Sequence, residues 1–316
     1  MRPFPNPHEP WAQDKAELHM HLEGCLEPDL WNKFQRKHSY LDIAPVTTVT
    51  YPFTDLSSFL AWRYQGDRLL NDEEDFFDLT WRYVQRALDN HIVYAELFFD
   101  PQAHTARGVS LDTVMSGIIR ALRQAEQRYG WTARLIPNIL RDHPLRTAED
   151  DLAHLEAYGD WIVGVGLDSR ELPYPPRLFR HLFDQVRRKG WHVVAHAGEE
   201  GPASYIWQAL DELGAERIDH GIHAMDDPVL MGRLKIDRIP LTICPWSNKR
   251  LGVTTDLSIY YKLFHEGLVL TINSDDPAYF SSYLNANFEL ISPYFPPDAL
   301  QQLIKNSFVA SFRTDF

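Results

Sequence analysis

The chain has 316 residues, 44% of them hydrophobic and 24% charged, with 31 basic against 44 acidic side chains, a formal charge of −13 when histidine is neutral. That length accommodates one α/β barrel of roughly 250 residues with insertions, and so acidic a surface repels phosphate backbones, which argues against a nucleic-acid partner. Two cysteines outside any CxxC pair, no apolar run of the ~18 residues that a membrane span needs, and no apolar h-region in MRPFPNPHEPWAQDK read as a cytoplasmic protein without disulfide frame, thiolate cage, membrane segment or secretory signal.

Short apolar runs predict strands at 16–23, 91–100, 132–141, 162–168, 192–199, 217–221, 239–245 and 268–275. Several, such as IVGVGL and LVLTI, are nearly continuous, as strands buried on both faces of a parallel sheet are. Helical spacing fills the gaps. Leu111, Val114, Met115, Ile118, Ile119 and Leu122 form one stripe behind Ser110, a predicted N-cap. Leu178, Phe179, Leu182, Phe183 and Val186 form another, and Ile206, Leu210 and Leu213 a third. Eight strands alternating with helices predict a (β/α)8 TIM barrel, one domain over 1–316. Residues 24–90, between the first two strands, exceed a single crossover helix and are rich in aromatics (Trp31, Phe34, Tyr51, Phe53, Phe59, Trp62, Tyr64). This helical insertion after the first strand leaves from the C-terminal face, where barrel sites are built. It reads either as a satellite packing its own small core or as a substrate lid.

Polar residues that need an explanation fall at the strand ends. Alternation sends residues i and i+2 to one side of a strand, so His19 and His21 can face one ion. The fifth strand ends in His196-Ala197-Gly198-Glu199, the sixth in Asp219-His220-Gly221 and the eighth in Asp275-Asp276-Pro277. Four strand ends on the working face thus supply imidazoles and carboxylates together, which desolvation disfavours unless they are paired or metal-bound. Nitrogen and oxygen donors without thiolate suit zinc in an open catalytic site, and iron, cobalt or manganese also take such donors. Two-metal barrel hydrolases use a bridging carboxylated lysine or carboxylate. No predicted strand ends in lysine, which favours a single ion. Cys244 reads as a small core residue, and His38, His91, His104, His143, His154, His181 and His265 as surface or packing residues.

The strings KAELHMHLEG, HAGEEGP, RIDHG, CPWSN and NSDDPAYF, in this order from Lys15 to Phe280, resemble the adenosine/adenine deaminase family of the amidohydrolase superfamily. The resemblance implies a (β/α)8 barrel whose metal is bound by His19, His21, His196 and Asp275. It implies that Glu199 protonates the purine at N1, that His220 orients the attacking nucleophile and that Asp276 meets N7. Within the family, Glu23 in HLEG (where adenosine enzymes carry HLDG, whose aspartate meets the ribose), FFDPQ, GLDS and NSDDPAYF are similar to the adenine deaminase branch. That similarity implies a base pocket lined by 166–171, with Gly166 and Asp168 as substrate contacts beside Glu23. Arg170, His223 and Trp246 depart from that branch. The expected reaction is zinc-dependent hydrolytic deamination of a 6-aminopurine, adenine first, with an N6-substituted adenine or adenosine as the alternative. Two other readings are a different metal-dependent hydrolase and a non-catalytic protein that kept the fold. The expected partner is a small purine, with no nucleic acid and no membrane.

Overall fold

Each apolar run becomes one strand of a single parallel sheet in the computed structural model, which describes residues 10–47 and 53–313. The strands are β1 (Lys15–His21), β2 (Ile92–Phe99), β3 (Thr132–Leu140), β4 (Gly164–Asp168), β5 (His192–Ala197), β6 (Arg217–His220), β7 (Leu241–Ile243) and β8 (Leu270–Ile272). They pair in sequence order, every pair parallel. A bridge between Met20 and Asp275 brings the end of β8 onto β1. The architecture is a (β/α)8 barrel. All eight predicted strands are present, trimmed at their ends. The run at 239–245 narrows to β7 because Pro245, which has no N–H to give a ladder, opens a helix at Pro245–Arg250. The run at 268–275 narrows to β8, and beyond it Asp275 adopts a φ of 63°, which ends extended backbone.

The insertion supplies three helices, α1 (Pro28–Lys37), α2 (Leu56–Asp67) and α3 (Glu73–Asp89). Asp72 starts α3 with a capping box, accepting from the Glu74 and Asp75 amides while Asp75 reaches back. A short α4 (Pro101–Thr105) follows β2, then α5 (Leu111–Tyr129), which Ser110 caps as predicted by accepting from the Thr113 amide. Helix α3 is the ordinary crossover into β2, so only the residues before it are additional. Trp31, Phe34, Phe53 and Phe59 are buried in the apolar cluster that also holds barrel residues such as Leu97 and Leu135. Among the described residues the insertion therefore has no separate core, which corrects the satellite alternative; Tyr51 lies outside the described residues.

At the N-terminal end of the barrel, Arg217 donates to Glu96 at 2.6 Å, and the Phe312 amide donates to the same carboxylate at 2.7 Å. The end of the chain thus closes the stable face and leaves the C-terminal face for chemistry. Among the described residues no helix is long and apolar enough to cross a membrane.

Candidate metal centre and active site

The barrel closes where its chemistry is. The His21 amide donates to the Asp275 carbonyl at 2.9 Å and the Asp275 amide to the His19 carbonyl at 3.2 Å. This seam sets the β1 histidines beside a carboxylate more than 250 positions away in sequence. Ligand atoms of His19, His21, His196 and Asp275 lie within 4.8 Å of one another, all four residues buried. Nε2 of His19 is 3.2 Å and Nε2 of His21 3.4 Å from Asp275 Oδ1. Asp275 and His220 both hold positive φ, 63° and 62°. Such strain in non-glycine residues gathers at sites that the surrounding fold over-determines.

The donor set suits a cation. Nε2 of His19, Nδ1 of His21 and Nδ1 of His196 are buried without a hydrogen-bond partner. Burial pushes His21 down to about 4 and His196 down to about 3, against the pull of Asp168 on both, and it lowers His19 as well. The imidazoles are therefore neutral at pH 7, with lone pairs to offer. Burial alone would raise Asp275, but its neighbours His19, His220 and His21 act the other way and hold its carboxyl well below the usual carboxylate range. Behind His19, Thr242 donates its hydroxyl proton to Asp219 at 2.7 Å, so its oxygen accepts from Nδ1–H of His19 at 2.9 Å. This leaves Nε2 as the lone-pair atom.

Glu199 follows β5 after Gly198, whose φ of 74° and contact with Ile206 leave no room for a Cβ. Burial, then the nearby Asp275 and Glu171 carboxylates, push the Glu199 carboxyl well above its ordinary range. His220 gives Nδ1–H to the Asn248 side-chain oxygen at 2.9 Å, leaving Nε2 as an acceptor 3.7 Å from Glu199 and 3.9 Å from Asp275. Asp276 accepts from Nε of Arg63 at 3.0 Å, and Asp168 stands 3.5 Å from both His21 and His196.

These groups share one cavity. It is bordered by His21, Asp168, His196, Glu199, His220, Asp275 and Asp276 from the barrel, and covered by Leu56, Phe59, Leu60 and Arg63 of α2 with Ser169 and Leu251 at the rim. The space between its walls, including the part open to solvent, is about 340 Å³.

Two expected substrate contacts stand back from it. Glu23 does not border the cavity; its carboxylate accepts from the Asp100 amide at 2.8 Å, faces His104 Nε2 at 3.0 Å and Arg63 Nη2 at 3.3 Å. Burial raises Glu23, but His104 and Arg63 outweigh it and bring the carboxyl down to about 2. Gly166 is also absent from the lining, and a Cβ there would collide with the Asn138 side-chain oxygen. Its contribution is close packing between β3 and β4. His104 is a buried partner of Glu23, within the packing role expected of it. Cys244 is buried, as expected of a core residue. His223 is paired with Asp226 and Trp246 with the Ala286 carbonyl, both outside the cavity lining.

Arg63, Thr242 and Asn248 are the site residues that sequence reasoning missed. Asn248 lay inside the quoted CPWSN string. The only signal for Arg63 was a lone arginine in the apolar stretch LSSFLAWRY, and Thr242 left none.

Comparison with known proteins places this geometry. The adenosine deaminase family model matches residues 14–315. The chain is 49% identical over 308 residues to an adenine deaminase of Cupriavidus necator, covering 94% of this chain and 87% of that protein. It is 45% identical over 307 residues to one of Hahella chejuensis, covering 95% and 92%. The crystal structure of adenine deaminase from Arthrobacter aurescens matches with a TM-score of 0.90 at 41% identity, covering 95% of this chain and 94% of that one. An amidohydrolase from Burkholderia ambifaria, crystallised with bound Zn, matches at 0.89 and 26% identity, covering 97% and 87%.

Proposed function

The chain belongs to the adenosine deaminase family and is a hydrolytic purine deaminase, and we propose that it converts adenine and water to hypoxanthine and ammonia at this cavity. The observation that carries the reading is the meeting, in one enclosed space, of the raised carboxyl of Glu199 with the His19–His21–His196–Asp275 cluster. The names of its 45–49% identical relatives support adenine as the substrate.

The same four residues would hold one zinc ion, a choice supported by the nitrogen and oxygen donors and by the Zn of the Burkholderia structure. When bound, such an ion would lower the pKa of a water to about 7, supplying a nucleophile at neutral pH. Glu199 gives its proton to N1 of the ring, which lets C6 accept an oxygen. His220, its Nε2 free to accept, holds the attacking oxygen in line with C6. The C6–O bond forms and the C6–N bond breaks; of the two protons that the water brings, one goes to the departing amino group, which leaves as ammonia, and the other restores the Glu199 carboxyl, while N1 keeps the proton it received. Asp276 meets the imidazole edge of the purine at N7, while Asp168 steadies His21 and His196 beneath it. Leu56, Phe59 and Leu60 of α2 cover the cavity, so the helix caps the ring from above.

Ammonia release by zinc-loaded protein tests the reading, with adenine, N6-alkyl adenines and adenosine compared by kcat/KM. Adenine is expected to be the best substrate. Adenosine exceeding every free base would overturn the substrate while leaving the deaminase standing.

A further inference from the structure

Among the described residues, Arg63 is the one cationic side chain bordering the cavity. It leaves the middle of α2 fully buried and is clamped on several sides. Nε donates to Asp276 at 3.0 Å, Nη1 to Asp100 at 2.6 Å, and Nη2 to Glu23 at 3.3 Å, while Asp67, one turn along α2, faces Nη1 at 3.6 Å. The carboxylates are themselves anchored: Asp100 accepts from Asn138 Nδ2 at 3.0 Å, and Glu23 is fixed by His104 and the Asp100 amide. A surface arginine swings aside for a ligand. This one cannot without leaving buried acids uncompensated, and its donors are already directed at carboxylates rather than free for a phosphate.

We propose that Arg63 is the specificity-determining residue of the pocket: the clamped guanidinium forms the wall at the imidazole edge of the purine and excludes substrates that carry a ribosyl or ribosyl-phosphate group there. The inference rests on the reading above, in which Asp276 meets that edge, because Nε of Arg63 is bonded to Asp276 and so stands beside the same edge. Rejection by a built-in obstacle gives a larger difference than weak preference in an adaptable apolar pocket. The acids around Arg63 add repulsion against a phosphate.

The test measures kcat/KM of zinc-loaded enzyme for adenine, 9-methyladenine and adenosine. It compares wild type, Arg63→Lys, Arg63→Ala, and Arg63→Ala combined with Asp100→Asn, the last removing a stranded charge if the single variant does not fold. In either alanine variant the ratio of N9-substituted to free adenine is expected to rise at least about tenfold. Arg63→Lys, which keeps the cation and most of the bulk, is expected to stay near wild type. Parallel losses on all substrates, with the ratio unchanged, would mean a merely structural arginine and overturn the proposal alone. Wild-type enzyme that deaminates no free adenine would overturn the substrate reading and this inference together.

Discussion

Nδ1 of His19 lies 2.9 Å from the hydroxyl of Thr242, on the far side of the ring from the Nε2 atom that faces Asp275. The threonine proton goes to Asp219, so the chain Asp219–Thr242–His19 fixes which ring nitrogen keeps its lone pair. Thr242→Val preserves volume and removes both hydrogen bonds. Outer partners of this kind are typically worth 10- to 100-fold in metal affinity. The expected result is a loss of that size in a chelator-competition titration. Unchanged affinity would show that packing alone orients the ring.

One divalent ion per chain is expected, since among the described residues a single cluster combines three buried imidazoles with a carboxylate. Elemental analysis of chelator-free protein checks it. Two ions, or activity intact with none, would contradict the ligand assignment.

Glu199→Gln keeps the shape of the side chain but has no transferable proton. We expect kcat/KM to fall by about 10²- to 10⁴-fold with metal content unchanged. Because burial raises the wild-type carboxyl, wild-type activity declines on the alkaline side as this acid is lost. Retention of more than about a tenth of wild-type kcat/KM in the variant would remove Glu199 from the proton transfer.

Asp151 offers a stability test away from the site. Burial, opposed by a hydrogen bond from Thr105 at 2.9 Å, raises its carboxyl to about 6 from 3.8. The folded chain binds the proton more tightly than the unfolded one. Stability from this group is therefore greatest below about 3.8 and declines as pH rises through about 6. Asp151→Asn is expected to raise Tm at pH 7.5 and to do so progressively less towards pH 5. A gain independent of pH would mean that the carboxylate is not buried in its charged form.

The order of strands and the histidine pair were legible because both are local: apolar runs mark strands, and a period of two puts His19 and His21 on one side. The motif strings extended that to the ligand set. Strand ends were read too long at β7 and β8, since Pro245 and Asp275 sit where the backbone leaves the sheet, and that departure is what aims Asp275 and Asp276 at the cavity. Nothing local could place Arg63 on Asp276, 213 positions away, or turn Glu23 from the cavity towards His104. Such pairings depend on which buried charges meet when the insertion folds over the barrel mouth. In a water-poor interior an acid must take whatever partner the packing brings, and only the tertiary structure decides which one that is.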